Sequence, residues 1–182
     1  MFDVDRGLTY TIVRLTVDPG GVVRDYLAGR TVVYVHPFIY LTLAFAAFAL
    51  TFRLTGGTGG GSMERVSTAA IVFFLAAASR TVFWRSGRNY AEHLILNTFL
   101  FAHVVLLLTG ASLIVDAVPE SAFAIEAGVL AAGVCAYMLW GYSRAFRARP
   151  ALAALGGLLV LALGIGLWLL ALVWVIRLVR GA

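Results

Sequence analysis

Three long stretches without a charged side chain constrain the fold of this chain most strongly. Asp, Glu, Lys and Arg are all absent from residues 31–52, 93–115 and 151–176. A helix of about 20 mainly apolar residues crosses the roughly 30 Å hydrocarbon core of a bilayer, so each stretch is long enough to do so. The chain is 62% hydrophobic with a mean hydropathy of +0.94, more apolar than a water-soluble domain. The sequence predicts a helical membrane protein.

Two further apolar segments raise the predicted number of spans. Residues 66–79 continue through Arg80, whose long side chain can reach the headgroups from a helix end. Residues 127–143 lie between Glu126 and Arg144. We predict an all-α, polytopic fold with spans at about 32–52, 64–84, 93–115, 123–143 and 151–177. A four-span alternative, in which the second segment is re-entrant, stays open.

The arginines predict the orientation in the membrane. The chain has fourteen arginines and no lysine, and a five-span topology places ten of them on the N-terminal side. The positive-inside rule then predicts a cytoplasmic N-terminus and a C-terminus on the opposite side of the membrane. The net charge of +5 is expected to face anionic lipid headgroups, and no nucleic-acid partner is predicted, because no basic water-exposed domain is present.

Residues 1–30 are predicted to be a cytoplasmic amphipathic segment, distinct from a transmembrane domain at 31–182. Two short helices are expected there, the second with Asp18 as N-cap, Pro19 in its first turn and Gly29 after its end. The predicted interfacial residues are Arg14, Arg24, Arg30 and Tyr26. Such helices lie in the plane of the interface, or they pack on the protein's own bundle, and both alternatives stay open.

Polar residues near the third apolar run are the candidate ligand-binding residues. Glu92 and His93 stand at its start, and His36 precedes the first span, so the predicted topology allows these three residues to converge at the cytoplasmic face. His103 lies about 15 Å further along the helix than His93, at a rise of 1.5 Å per residue. Carboxylates and imidazoles are ordinary metal ligands, but one ion cannot bridge both histidines, and no metal site is predicted. The alternative to ligand binding is structural: Glu92 neutralises a nearby arginine, and His93 forms a hydrogen bond between helices.

His103 is a separate candidate because an ionisable residue deep in a membrane is often functional. Ligation of a haem by two histidines needs a partner histidine at the same depth, which the sequence lacks. A haem or pigment held by one histidine remains an alternative. The sequence favours an interhelical hydrogen bond, and the absence of acidic residues at mid-depth argues against a proton relay or an ion-coupled transporter.

Small residues at helical spacing mark surfaces on which helices can pack closely. They are Ala124, Gly128, Ala132 and Ala136 on the fourth predicted span, and Ala153 and Gly157 on the fifth. Such strips hold membrane helices together by van der Waals contact. The packing partner is either another helix of the same chain or another membrane protein.

Residues 11–41 contain a series of short motifs. They are Arg14-Leu15, Pro19-Gly20, Tyr26-Leu27-x-Gly29 and Tyr34-x-x-Pro37, followed later by Tyr90-x-Glu92-His93. This series resembles a bacterial membrane family called domain of unknown function 3667. Many family members begin with a cysteine-rich zinc ribbon, which this sequence does not contain. The resemblance implies a polytopic fold in a bacterial inner membrane, so that the predicted orientation puts the C-terminus in the periplasm, and it implies no particular activity.

Three functional hypotheses follow from the sequence, which lacks Gly-x-Ser-x-Gly, His-Glu-x-x-His and a Walker lysine. The favoured one is a non-enzymatic accessory or scaffolding subunit of a larger inner-membrane complex, respiratory or photosynthetic, with lipids and other membrane proteins as partners. The second is a binder or carrier of a hydrophobic ligand, such as lipid, quinone, haem or pigment, with His103 or His93 as its polar contact. The third is a membrane enzyme or transporter that uses Glu92 and His93. No catalytic residue is predicted.

Overall fold

The computed structural model describes residues 4–54, 68–115, 123–146 and 150–181, and this part of the chain is all-helical. The seven α-helices are α1 (Val4–Val17), α2 (Pro19–Leu27), α3 (Pro37–Leu54), α4 (Ile71–Val82), α5 (Tyr90–Val115), α6 (Phe123–Phe146) and α7 (Pro150–Gly181). A short 3-10 helix, Trp84–Ser86, lies between α4 and α5. The prediction of an all-α fold is confirmed.

Three of these helices are long and apolar enough to cross a membrane. The candidate spans are Pro37–Leu54, Tyr90–Leu113 and Ala151–Arg177, each of which overlaps one of the three charge-free stretches. The predicted span at 64–84 corresponds to α4, which is apolar but has 12 residues, about 18 Å of helix. The predicted span at 123–143 lies in α6, which is not among the three. A membrane protein is indicated, while the predicted count of five spans is not confirmed.

The two N-terminal helices form where the sequence predicts them. Asp18 accepts a 3.1 Å hydrogen bond from the Gly21 amide and caps α2. Pro19 fits the first turn because it has no N–H to satisfy there. Gly29 follows the helix at a φ of 91°, a conformation that strongly favours glycine. These capping predictions are confirmed.

The α1–α2 pair packs on the bundle. Leu15, Val22 and Val23 are fully buried, and both helices contact α5, while α2 also lies against α6. The approach of α2 is closest at Gly20, because a Cβ there would meet the backbone of Arg144 and Ala145. Of the two sequence alternatives, the structure shows the one in which this segment packs on the protein itself.

Helix α5 is the centre of the fold. It contacts α1, α2, α3, α4 and α6. It runs antiparallel to α6, since His93 near its start stacks on Phe146 and His103 further along lies against Tyr137. Helix α7 covers α4 and α6. Any polar side chain on the inner faces of α5 therefore has to find its hydrogen-bond partners within the bundle.

Candidate functional site

His103 is fully buried, and both of its ring nitrogens have partners. The Tyr40 hydroxyl lies 2.7 Å from Nδ1, and the Thr16 hydroxyl lies 3.1 Å from Nε2. The Tyr137 ring packs against the imidazole with a centroid distance of 5.3 Å. Residues from α1, α3 and α6 thus meet at one point on α5.

The hydrogen-bond partners also fix the tautomer of His103. Thr16 has a single hydroxyl proton, which it donates to the Ile12 carbonyl at 2.9 Å. Its oxygen therefore accepts from His103 Nε2–H, and Nδ1 accepts the proton of Tyr40. The imidazole is neutral and fully satisfied, which leaves no nitrogen free to bind a haem iron or a pigment metal. The interhelical hydrogen bonds that the sequence favours are present.

His93 lies in a second buried hydrogen-bond network, nearer the start of α5. Its Nδ1 is 2.9 Å from the Ser79 hydroxyl of α4. Asn97 donates to Ser79 Oγ at 2.9 Å and to the His93 carbonyl at 2.7 Å. Tyr142 of α6 completes the network by donating to Asn97 Oδ1 at 2.6 Å. Three helices are joined through the Asn97 side chain.

The orientation of Asn97 follows from these contacts. The His93 carbonyl can only accept a hydrogen bond, so the amide atom beside it is Nδ2. The other amide atom, Oδ1, then accepts from Tyr142. Asn97 stands one helical turn after His93, so the sequence placed the two residues on one face. The partners Ser79 and Tyr142 come from other helices and carried no local signal.

One atom of the second network has no partner. His93 is fully buried, yet its Nε2 makes no hydrogen bond with any described residue. The imidazole stacks on the Phe146 ring at a centroid distance of 5.4 Å. Arg88 lies over the same ring, with its Cζ 5.0 Å from the centroid, and donates from Nη2 to the Ala145 carbonyl at 2.9 Å.

Glu92 has a local structural role at the start of α5. Its carboxylate accepts from the Asn89 amide at 2.7 Å, and the Asn89 side chain accepts from the Glu92 amide at 2.9 Å. This reciprocal pair is a capping box, which satisfies two amide groups that the helix itself leaves unpaired. The signal was present in the sequence as Asn followed three residues later by Glu, and it was missed.

His36 lies apart from these networks. It is exposed and stacks on Phe38 with a centroid distance of 5.9 Å. Among the described residues, no three His, Cys, Asp or Glu side chains come close enough together to hold a metal ion. The suggested convergence of His36 with Glu92 and His93 is not seen.

The predicted interfacial arginines pair with acidic residues of their own segment. Arg14 and Arg30 lie 3.9 and 3.5 Å from Asp25, and Arg24 lies 3.8 Å from Asp18. Tyr26 packs edge-on against Phe99 of α5 at 5.3 Å. The ion pairs lie within the segment, and the contact of Tyr26 with Phe99 joins the segment to the bundle.

Asp18 connects this segment to the end of α6. Its carboxylate accepts from Arg144 Nε at 3.2 Å, while Arg24 donates to the Arg144 carbonyl. Burial alone would raise the pKa of Asp18, but the hydrogen bonds from Arg144 and Gly21 and the positive charges of Arg144 and Arg24 lower it below its usual value. The carboxylate is therefore ionised at neutral pH.

The two strips of small residues have different surroundings. On α7, Ala153 is fully buried, and a Cβ on Gly157 would press against Leu139 and Tyr142. On α6, the described members Gly128, Ala132 and Ala136 are exposed. A Cβ on Gly128, or on Gly133 beside the strip, would meet nothing within 4 Å. The side chain of Ala124 is outside the described part. The α7 strip is filled by the chain itself, and the α6 strip is open.

An apolar cleft of about 350 Å³ lies between α5 and α6. Its lining is Val104, Leu107, Leu108, Ala111, Val129, Leu130, Gly133, Val134 and Tyr137. Tyr137 is the only side chain in this lining with a polar atom, and its hydroxyl donates to the Leu15 carbonyl at 3.1 Å. The cleft thus presents hydrocarbon to whatever enters it.

Comparison with known proteins gives one family match. The family model described as "Protein of unknown function (DUF3667)" matches residues 5–49. The match includes α1, α2 and the first part of α3, and it confirms the resemblance to that family over this segment. No curated protein and no solved structure matches the chain.

Proposed function

We propose that this chain is a multi-pass inner-membrane protein that serves as an accessory or scaffolding subunit of a larger membrane assembly, respiratory or photosynthetic. The observation that carries the proposal is the open strip of small residues on α6. Gly128, Ala132 and Ala136 stand at intervals of four residues, and no helix among the described residues covers them. A matching helix can approach such a strip closely and gain van der Waals contact along its length.

The contrast with α7 supports this assignment. Most exposed side chains on α7 are large and apolar, for example Leu159, Leu170 and Trp174, which are 55%, 68% and 64% exposed. Lipid tails solvate large side chains well, whereas a smooth strip of glycine and alanine favours close contact between helix backbones. We assign α7 to the lipid boundary and α6 to the partner.

The proposed topology has five spans, with the N-terminus cytoplasmic and the C-terminus periplasmic. The arginine distribution and the alternation of helices support it. The test uses single cysteines in a Cys135→Ala background, labelled with a membrane-impermeant reagent in intact spheroplasts and in inverted vesicles. A cysteine at Ser86 should react only in the inverted vesicles, and one at Ser62 only in the spheroplasts. The opposite pattern would reverse the orientation.

Purification from the native membrane in mild detergent tests the role as a subunit. The wild-type protein is expected in a complex of defined stoichiometry, and Ala132→Leu should release it because the larger side chain keeps the partner helix away. Ala162→Leu, the same change at an exposed position of α7, is the matched control and should retain the complex. Migration of the wild type as a lone chain would contradict the proposal.

A second candidate function is the binding of a hydrophobic ligand, and the cleft between α5 and α6 supports it. Its volume of about 350 Å³ falls at the lower end of the range for small-molecule sites, about 300–1,000 Å³. Because the lining is almost entirely apolar, a lipid or quinone tail fits it better than a polar substrate. Ala111→Leu should reduce the amount of ligand that co-purifies, as measured by mass spectrometry, and Ala162→Leu should not. Equal ligand content in both variants would remove this candidate.

A further inference from the structure

The corner of the bundle where Arg88 and His93 lie against Phe146 contains two buried polar atoms without partners. His93 Nε2 and Arg88 Nη1 are both shielded from solvent, and neither makes a hydrogen bond with a described residue. A buried polar group without a partner costs about 1–3 kcal/mol, and more when it is charged. Because both side chains lie against the same aromatic ring, one bound group could be the partner of both atoms.

The hydrogen bonds around these two atoms keep both side chains from finding a further partner within the protein. His93 Nδ1 is held by Ser79 of α4, so Nε2 points away from that helix. Arg88 is anchored by Nη2 on the Ala145 carbonyl, which leaves Nη1 as the unsatisfied edge of the guanidinium. A ligand with an anionic oxygen for Arg88 Nη1 and a hydroxyl for His93 Nε2 would satisfy both side chains without breaking either anchor.

The charge of this corner is positive. The electrostatic neighbours of Arg88 and His93 include Arg24, Arg80 and Glu92. Arg24 reaches the Arg144 carbonyl, next to the carbonyl that Arg88 binds, and pairs with Asp18. The two acidic residues near this corner already have partners. Asp18 pairs with Arg24 and Arg144, and Glu92 caps α5. The remaining positive charge lies around Arg88.

We propose that this corner binds a phosphate group that carries one hydroxyl, with Arg88 Nη1 donating to an anionic oxygen and His93 Nε2 accepting from the P–OH. The guanidinium fork of arginine matches a phosphate through parallel hydrogen bonds. The Ser79 hydroxyl donates its single proton to the Ala76 carbonyl at 3.1 Å, so its oxygen accepts from His93 Nδ1–H, and Nε2 of the neutral ring accepts a hydrogen bond from the hydroxyl of the phosphate. The start of α5 adds its N-terminal dipole, which also favours an anion.

The position of the corner relative to the candidate span favours this ligand. The candidate span on α5 begins at Tyr90, two residues after Arg88, so the corner lies at one end of the apolar segment. Lipid phosphates and free phosphates of the adjoining aqueous phase both reach that level. Entry requires the half-buried Arg88 side chain to swing aside, and its neighbours Ser86, Gly87 and Asn89 are all exposed.

The test measures thermal stabilisation of the purified chain in a non-ionic detergent with two probes. The first is inorganic phosphate against chloride at equal ionic strength, and the second is mixed micelles with phosphatidic acid against micelles with phosphatidylcholine. At least one probe should raise the melting temperature of the wild type. Stabilisation by inorganic phosphate identifies a site for free phosphate groups, and stabilisation by phosphatidic acid alone identifies a lipid headgroup site.

Variants then assign the effect to the corner. Arg88→Gln and His93→Phe should each weaken the apparent affinity about tenfold or more, because each removes a hydrogen bond to a charged group. Arg88→Lys retains the charge without the fork and should weaken it less than Arg88→Gln. The matched control is Arg85→Gln, which removes the same charge from an exposed position in the same loop and should change the affinity less than twofold.

Two results would overturn the proposal. One is the absence of stabilisation by either probe, which would mean that the corner does not bind a phosphate group. The other is equal loss in Arg85→Gln and Arg88→Gln, which would mean that any arginine at this membrane surface attracts the anion. Because these readouts do not depend on a protein partner, they are separate from the test of the proposed subunit role.

Discussion

The two buried histidines of α5 have the same side chain but differ in how many of their ring nitrogens form hydrogen bonds. His103 uses both ring nitrogens, one with Tyr40 and one with Thr16. His93 uses one nitrogen with Ser79 and leaves Nε2 unpaired. Both side chains are fully buried. The difference teaches that burial alone does not show whether a histidine has all its hydrogen bonds, whereas a count of hydrogen-bond partners does.

Among the changes that test this comparison, replacement of His103 should reduce the stability of the fold most. His103→Phe leaves the buried Tyr40 hydroxyl without an acceptor and removes the link to Thr16, so we expect a loss of about 3 kcal/mol in the free energy of unfolding. Thermal unfolding in detergent measures it. Tyr40→Phe in the same chain should recover part of the loss, since no hydroxyl then lacks a partner. An unchanged melting temperature in the single variant would show that the network contributes nothing.

Removal of the Asn97 side chain tests the second network as a unit. Asn97→Leu leaves the fully buried Tyr142 hydroxyl without an acceptor, and we expect a loss of about 2 kcal/mol. Tyr142→Phe combined with it should cost less than the sum of the two single changes. Strict additivity would mean that Asn97 and Tyr142 do not interact.

Replacement of His93 should cost less than replacement of His103. His93→Phe loses the hydrogen bond to Ser79 but also removes a buried atom that has no partner, so we expect at most about 1 kcal/mol. The measurement is the melting temperature in detergent without phosphate or anionic lipid. A loss as large as that of His103→Phe would indicate that Nε2 has a structural partner after all.

The smallest expected effect concerns Asp18, which joins α2 to the end of α6. Its folded-state pKa is lowered, so its charge stabilises the fold above the unfolded-state pKa, near the usual 3.8, and this contribution is lost as the pH falls through the lower folded value. Asp18→Asn retains an N-cap and removes the charge, and about 0.5 kcal/mol should be lost at neutral pH, since both arginines are partly exposed. The melting temperatures of the two proteins should converge below about pH 4. A constant difference across that range would exclude the charge as the cause.

The local features of the fold were predictable because they depend on neighbouring residues. The charge-free stretches marked the three helices that can span a membrane, and Asp18, Pro19 and Gly29 marked the limits of α2. The second and fourth predicted spans were less secure, since α4 has 12 residues and α6 is not among the three candidates. A hydropathy pattern does not state where a short apolar helix ends.

The candidate site was predictable only in part. The sequence singled out His93 and His103 as candidate ligand-binding residues that otherwise form hydrogen bonds between helices, and it placed Asn97 one turn after His93. It gave no indication of Ser79, Tyr142, Tyr40 or Thr16 as their partners, because these residues are distant in sequence or on other helices. Which of the two small-residue strips is filled also depended on the packing of α4, α6 and α7.

The sequence by itself determined that this chain is helical, apolar enough to enter a membrane and capped at the ends of α2, because helical periodicity, hydropathy and capping act within a few residues. Only the tertiary structure decided that His103 is satisfied, that His93 Nε2 and Arg88 Nη1 are not, and that the strip on α6 is open. The physical reason is that a hydrogen bond requires atoms within about 3 Å. Contacts at that precision, between residues far apart in sequence, are set by how the helices cross.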